Sequence, residues 1–314
     1  MNMPLPRKVF LTFDVEDFIN DRSIKALHYI LKMLDENKLK AIFFITGHMA
    51  EKLAGYKEIV DMLSEHQIGY HSSSHSVKPT ILEYTDIEDY EEARLESLRR
   101  ETSHINPLTG EIEGKGGIHV LRELFPNNRI EAFRSPDYCW SPPHLEALRD
   151  LGIKYDFSAK ISPVCVSHKE ITFYPYPICH DWDMHVYFGV LRSVLSKGTT
   201  VLNFHHWYFV NNKAWNHFYI RGNPKILFEV NSRSYEETVS LFTKFGSFLR
   251  KIRTFQKTKA VELTPELEKP ERDIFMDSVV VGKICNEMVV WFKNNYFYEP
   301  THLCRHFEKF FLKA

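Results

Sequence analysis

An apolar run passes directly into three carboxylates in the segment VFLTFDVED, residues 9–17. Residues 9–13 have the length and content of a short buried strand. Asp14, Glu16 and Asp17 follow within four positions, and carboxylates so close together repel one another unless a cation or basic group lies nearby, or one carboxyl holds a proton. The alternative is a helix N-terminus, where acidic residues complement the helix dipole.

The same alternation of strand and helix signals continues through the first two-thirds of the chain. Strands are predicted at 41–45, 67–70, 132–133, 153–157 and 199–204. Helical spacing of apolar residues lies between them, at 24–34, 50–65 and 141–152, with a solvated acidic helix at 86–101 and a loop at 105–117. Strands that alternate with helices predict βαβ units and a parallel sheet.

The last third of the chain has a different pattern. Apolar residues at 241–252 trace one helix face, and residues 279–292 predict a second helix, with a polar linker between them. We therefore predict an α/β domain at 1–224 and a helical C-terminal extension at 225–314 that packs on it.

Composition excludes several classes of protein. The 314 residues carry 40 Lys and Arg against 41 Asp and Glu, a net charge of −1, which argues against an electrostatic nucleic-acid binder. No uncharged run approaches the length of a membrane span, and the start lacks the apolar stretch of a signal peptide. The five cysteines are widely spaced and predict neither a disulfide framework nor a cysteine zinc site. These features favour a cytoplasmic protein.

Two histidines follow the strand predicted at 67–70, in the segment HSSSH. His71 and His75 are four residues apart, so both imidazoles can reach one metal from the same side of a helical turn. The alternative is a pair of unrelated surface histidines in a serine-rich loop. The short serines favour a tight turn, and we favour the metal site.

Two further polar clusters end later strands. Arg134 opens the segment RSPDY, where a guanidinium can orient a carboxylate, and His205 and His206 end the strand predicted at 199–204. One histidine of this pair can be a core residue, and the other can act as an acid or base. The strand ends together supply carboxylates, two spaced histidines, an arginine and a later histidine. This set of residue types is typical of a metal hydrolase.

The order of these motifs over residues 8–207 resembles the polysaccharide deacetylase family, the NodB-homology carbohydrate esterases. The resemblance implies a distorted (β/α) barrel with fewer than eight strands. It also implies a divalent metal, usually zinc, and hydrolysis of an N-acetyl or related acyl group on a sugar. Val15 makes the acid motif similar to an Asp-Val-Glu/Asp branch that includes intracellular deacetylases.

The resemblance assigns roles by position. It makes Asp14 the catalytic base, Arg134 the residue that orients it, and His205 the general acid. The implied metal ligands are His71 and His75 together with a carboxylate, either Glu16 or Asp17.

The RSPDY segment departs from the family pattern, which has Tyr where this chain has Asp137. The backbone N–H at this place normally helps to hold the oxyanion, and a backbone group can survive a change of side chain. Asp137, Tyr138 and Trp207 are the predicted substrate contacts.

We therefore predict a metal-dependent hydrolase that removes an N-acetyl group from a sugar, with a nucleotide- or lipid-linked precursor as substrate. The alternatives are an allantoinase-like amidohydrolase acting on a small amide, and a catalytically silent barrel that binds carbohydrate. The oligomeric state is left open.

Overall fold

One curled, largely parallel sheet forms the centre of the protein. The structure is a computed structural model that describes residues 7–16, 21–75, 77–106, 109–177, 199–212, 232–259, 261–263, 274 and 276–312. The strands are β1 (Arg7–Val15), β2 (Ile42–Ile45), β3 (Gln67–Tyr70), β4 (Ser103–Ile105), β5 (Ile112–Lys115), β6 (Ala132–Phe133), β7 (Tyr155–Asp156), β8 (Val166–His168), β9 (Ile171–Phe173), β10 (Thr200–His205) and β11 (Val261–Leu263).

The strand order is β10-β1-β2-β3-β6-β7-β9-β8, and β11 also pairs with β1. Each of these pairs is parallel except β8 with β9. The sheet curls into a half-barrel, which confirms the predicted distorted (β/α) barrel. Parallel strands bring their carboxyl ends to one edge, so the polar segments that follow them meet there.

Helices connect and cover the strands. They are α1 (Asp21–Glu36), α2 (Gly47–Leu53), α3 (Lys57–Ser64), α4 (Ile81–Tyr84), α5 (Tyr90–Thr102), α6 (Gly117–Leu124), α7 (Pro142–Asp150), α8 (Tyr235–Lys259), α9 (Ser278–Tyr296) and α10 (Leu303–Phe311). Two short 3-10 turns lie at Pro136–Tyr138 and His206–Phe209. None of the helices in the described part of the chain is long and apolar enough to cross a membrane.

Side chains of successive strand residues point to opposite faces of the sheet. In β1, Leu11 and Phe13 face the helices and join the main core, whereas Phe10 faces the concave side. The concave side holds a separate apolar group, here called the lumen cluster: Phe10, Ile42, Phe44, Ala132, Tyr155, Phe157, Tyr174 and Val201. This cluster fills the barrel below the polar edge.

Three local expectations differ from the structure. The helix predicted at 50–65 is two helices, α2 and α3, interrupted around Gly55. The loop predicted at 105–117 includes most of the β4–β5 hairpin, whose antiparallel pairing depends on contacts between its two arms. The helix predicted to be solvated, α5, buries Glu101, which is 1% exposed.

The C-terminal segment joins the barrel rather than only covering it. In α8, Phe245 contacts the rings of Phe13 and Phe204 at centroid distances of 6.1 Å and 5.5 Å. The strand β11 pairs with β1, with Arg7 opposite Val261. The predicted boundary between 224 and 225 lies outside the described residues, so the division into 1–224 and 225–314 stays a prediction.

The expectation that the cysteines form no disulfide is wrong for one pair. Cys285 in α9 is bonded to Cys304 in α10, with a Cα–Cα distance of 5.5 Å. Their 19-residue separation carries no disulfide signature, and only the packing of the two helices brings the thiols together.

Gly69 illustrates how tightly the lumen cluster is packed. A Cβ at this position would lie 2.5 Å from Cδ1 of the Phe44 ring. We predict that Gly69→Ala lowers the free energy of unfolding by about 1–3 kcal/mol, measured by urea denaturation, because the ring has no room to move.

The matched control is Gly282→Ala in α9, where an added Cβ meets nothing within 4 Å. We expect it to be neutral or stabilising by about 0.5–1 kcal/mol, since alanine is the better helix former. Equal effects of the two substitutions would contradict the packing argument.

Candidate active site

Strand alternation places the predicted polar residues on the concave side. Asp14 lies two positions after Thr12, and Glu16 two positions after Asp14, so all three share the face of Phe10. On the neighbouring strand β10, Asn203 lies opposite Thr12 and His205 opposite Asp14. The polar groups therefore sit directly above the lumen cluster.

Three of the predicted metal ligands converge. Ligand atoms of Glu16, His71 and His75 all lie within 4.8 Å of one another, and all three residues are buried. Glu16 Oε2 is 2.8 Å from His71 Nε2 and 3.2 Å from His75 Nε2. The fourth predicted ligand, Asp17, lies outside the described residues.

The hydrogen bonding of His71 fits a metal site. Its Nδ1 is 2.7 Å from the carbonyl oxygen of Arg134, a geometry in which Nδ1–H donates. In the neutral imidazole, Nε2 then presents a lone pair to the Glu16 carboxylate. Two acceptors at this distance require a proton or a cation between them. Burial raises the pKa of Glu16, but His75 and His71 outweigh it and hold the pKa well below its ordinary value.

Arg134 and Asp14 form a buried ion pair inside the barrel. Arg134 Nη1 donates to Asp14 Oδ1 at 2.7 Å, to Thr12 Oγ1 at 2.9 Å and to Asn203 Oδ1 at 2.6 Å. The guanidinium carbon lies 4.3 Å from the centre of the Phe44 ring. Burial raises the pKa of Asp14, whereas the Arg134 guanidinium lowers it, and the balance lies below the ordinary value. Asp14 is therefore ionised at neutral pH.

The two histidines at the end of β10 have different surroundings. His205 Nε2 lies 3.5 Å from Asp14 Oδ2 and 3.7 Å from Glu16 Oε1, and its side chain is 16% exposed. His206 is fully buried beside the Asp14 backbone carbonyl, and burial lowers its pKa to about 4. The imidazole of His205 therefore lies close to the carboxylates of Asp14 and Glu16, whereas that of His206 lies beside the Asp14 backbone.

The predicted substrate contacts lie around this centre. Asp137 Oδ1 is 3.8 Å from His75 Nε2, and burial raises the pKa of Asp137. Tyr138 accepts a hydrogen bond from Asn203 Nδ2 at 2.8 Å. Trp207 is 4% exposed, and its indole N–H donates to Glu16 Oε1 at 3.3 Å. The structure gives Trp207 a contact with a predicted metal ligand, and its contact with substrate stays a prediction.

Sequence reasoning missed the role of Asn203. Its amide donates to Asp14 Oδ2 at 2.7 Å, while its carbonyl oxygen accepts from Arg134. The signal was present, because Asn203 lies two residues before His205 on a strand and therefore shares its face.

A second buried cluster, also missed, supports the loop that carries the two histidines. Glu101 of α5 accepts a hydrogen bond from Ser72 Oγ at 3.1 Å and lies 2.7 Å from His144 Nε2. Tyr70 also donates to this carboxylate. Only the packing of α5 and α7 behind the loop shows this role, since Glu101 lies in a stretch that reads as a polar helix.

We predict that Arg134→Met lowers the free energy of unfolding by about 3–5 kcal/mol in urea denaturation, because it leaves Asp14 charged and unpaired in the barrel. Adding Asp14→Asn to Arg134→Met should recover part of this loss. The control is Arg99→Met, which removes a 40% exposed arginine paired with Glu96 and should cost no more than about 1 kcal/mol. Similar losses in both single variants would refute the buried pair as a stability determinant.

Comparisons with known proteins bear on the family. A family model described as polysaccharide deacetylase matches residues 2–155. No match to this chain was found among curated proteins.

Two solved structures share the fold. A candidate polysaccharide deacetylase from Mycobacterium smegmatis has 15% identity, covers 86% of this chain and 97% of its own, and has a TM-score of 0.51. The 4-alpha-glucanotransferase of Thermococcus litoralis has 12% identity, covers 98% of this chain and 50% of its own, and has a TM-score of 0.53. At these identities the likeness concerns the fold alone. The segment that the polysaccharide deacetylase model matches includes Asp14, Glu16, His71, His75 and Arg134.

Proposed function

We propose that this protein is a metal-dependent hydrolase that removes an N-acetyl group from an amino sugar. The family supports a carbohydrate deacetylase. The observation that carries the proposal is the convergence of Glu16, His71 and His75 with an ionised Asp14 and with His205 close to both carboxylates. A hydrolase needs a metal ligand set, a base and an acid within reach of one bond, and these groups meet that requirement.

The metal would be held by Glu16, His71 and His75. Two imidazole nitrogens and one carboxylate oxygen suit Zn²⁺, which is the ion that we propose. When bound, the metal would lower the pKa of a water and polarise the acyl carbonyl. The indole N–H of Trp207 donates a hydrogen bond to Glu16 Oε1. The Arg134 carbonyl oxygen accepts one from His71 Nδ1 and so fixes the orientation of that ring.

The acid–base roles follow from the charges and distances. Asp14 is ionised and can take a proton from the attacking water, while Arg134 and Asn203 hold its two oxygens in place. His205 lies on the neighbouring strand with its Nε2 3.5 Å from Asp14 Oδ2 and its side chain partly exposed, and it can give a proton to the leaving amine. His206 is buried and neutral, and serves the fold.

The proposed substrate is an acetylated amino sugar, free or carried on a nucleotide or lipid. A cytoplasmic location belongs to the same proposal, because a cytoplasmic enzyme meets such precursors rather than finished wall polymer. The described feature that argues against this location is the Cys285–Cys304 bond, since disulfides persist mainly in oxidising compartments.

The redox state of this pair in cells tests the location. A cytoplasmic location requires that cells keep this bond reduced, so that an alkylating reagent labels Cys285 and Cys304 without prior reduction. Mass spectrometry of protein from rapidly quenched cells measures the label. Label that appears only after reduction would place the protein in an oxidising compartment.

Metal content and acetate release test the reaction. We expect the purified protein to bind about one Zn²⁺ per chain and to release acetate from an acetamido sugar. Asp14→Asn should retain the metal and lose turnover by at least about 10²-fold, since it removes the base. His75→Ala should lose both metal and turnover.

The control for these variants is His119→Ala in α6, a histidine outside the described site. It should retain both metal and activity. Full activity in Asp14→Asn would reject Asp14 as the base. Metal binding without hydrolysis of any acetamido sugar would reject the deacetylase and favour either an amidohydrolase of small amides or a silent carbohydrate-binding barrel.

A further inference from the structure

Asp137 occupies the position at which this chain departs from the family pattern. It lies in the 3-10 turn Pro136–Tyr138, which follows β6 at the polar edge of the sheet. Its backbone is in the left-handed region, with a φ angle of 50°. Among residues that carry a side chain, aspartate and asparagine adopt this region most readily. The backbone of this turn is therefore suited to an aspartate.

Buried hydrogen bonds hold this turn in place. Ser135 N–H donates to Ser158 Oγ at 2.6 Å, and Ser158 Oγ donates to Asp156 Oδ2 at 2.8 Å. Within the turn, Tyr138 N–H donates to the Ser135 carbonyl oxygen at 3.0 Å. The backbone that carries Asp137 is therefore fixed by contacts with the end of β7.

The Asp137 carboxylate approaches the candidate metal centre, formed by Glu16, His71 and His75, from the side of His75. Asp137 Oδ1 lies 3.8 Å from His75 Nε2, and the same nitrogen lies 3.2 Å from Glu16 Oε2. Two ligand atoms that each lie about 2.1 Å from one tetrahedral zinc ion are about 3.4 Å apart. The observed 3.8 Å exceeds this by about 0.4 Å, which a small rotation of the side chain covers.

The groups that act on Asp137 are those of the same centre. Burial raises the pKa of Asp137 and Glu16 adds to this effect, whereas His75, His71 and His205 lower the pKa. The Asp137 side chain is 15% exposed, so its carboxyl group has lost most of its contact with water. A divalent ion bound beside this group would stabilise its ionised form.

We propose that Asp137 is a second carboxylate ligand of the metal, in addition to Glu16, His71 and His75. The inference rests on the metal site of the proposed function. It goes beyond that site because it gives Asp137 a role different from the substrate contact that the sequence predicts.

A second carboxylate changes which ion the centre prefers. Imidazole nitrogens suit Zn²⁺, whereas each added carboxylate oxygen favours harder ions such as Mn²⁺. It also changes the charge of the loaded centre, because the ionised carboxylates of Asp14, Glu16 and Asp137 balance a divalent ion together with Arg134. The protein should therefore bind Mn²⁺ more tightly than a site with the other three ligands alone.

The test measures metal affinity rather than turnover. Calorimetry gives the affinities of the wild type and of Asp137→Asn for Zn²⁺ and Mn²⁺, with a competing chelator for zinc. Asp137→Asn should weaken Zn²⁺ binding by at least about tenfold and Mn²⁺ binding by a larger factor, because Mn²⁺ depends more on carboxylate oxygens. Asparagine retains the left-handed backbone, so the metal-free variant should be no less stable in urea than the metal-free wild type.

The matched control is Glu287→Gln. Glu287 and Trp291 of α9 line a cavity of about 150 Å³ that Asp137 lines from the barrel, and Glu287 Oε2 lies 4.0 Å from Lys160 Nζ. This control removes a negative charge near the centre without removing a ligand, and it should leave both affinities unchanged. The visible absorption of the Co²⁺-loaded protein, which depends on the ligands of the ion, should change in Asp137→Asn and stay the same in Glu287→Gln.

The outcomes separate this inference from the proposed function. Unchanged affinities for both ions in Asp137→Asn overturn the added ligand even if the wild type binds zinc and releases acetate. Equal losses in Asp137→Asn and Glu287→Gln also overturn it, because the effect would then be one of charge at a distance. A wild type that binds no divalent ion overturns both. Weaker metal binding in Asp137→Asn, without acetate release by the wild type, overturns the deacetylase and leaves the added ligand standing.

Discussion

The buried ion pair of Arg134 and Asp14 is the interaction on which the candidate site depends. A guanidinium inside a barrel is costly unless its charge is paired and its N–H groups are bonded. Here one nitrogen reaches Asp14, Thr12 and Asn203, and the plane rests on Phe44. These partners come from β1, β10 and β2, so the pair joins strands far apart in sequence. Its charge also keeps Asp14 ionised in a place where burial alone would protonate it.

The two-residue repeat of the β-strands determines which side chains lie around this ion pair on the concave face of the sheet. Inward positions are apolar at the amino ends of the strands, as at Phe10 and Val201, and polar at the carboxyl ends, as at Asp14 and His205. The apolar floor excludes water beneath the polar edge, which strengthens the electrostatic interactions there. The close packing of this floor restricts position 69 to glycine, because the Phe44 ring leaves no room for a side chain beside it.

Outside the barrel, two elements complete the site in different ways. Glu101 and His144 form a buried cluster behind Ser72 and hold the loop that carries His71 and His75. On the other side, α9 packs beside His75 and Pro136 and brings Trp291 to the cavity next to Asp137. The first element supports the loop that carries two of the predicted metal ligands, and the second closes the neighbouring side of the barrel edge.

The sequence by itself determined the alternation of strands and helices in the barrel, the resemblance to polysaccharide deacetylases, and most of the candidate site, because these depend on local periodicity and on polar residues at the ends of parallel strands. Asp14, Glu16, His71, His75, Arg134 and His205 could all be found in this way. The sequence predicted Glu101 as a solvated acid and Cys285 and Cys304 as unpaired thiols, and it placed α9 in an extension packed on the barrel without a defined role. Only the tertiary structure decided these, since burial, a disulfide and a cavity wall arise from contacts between segments whose distance in space no local pattern encodes.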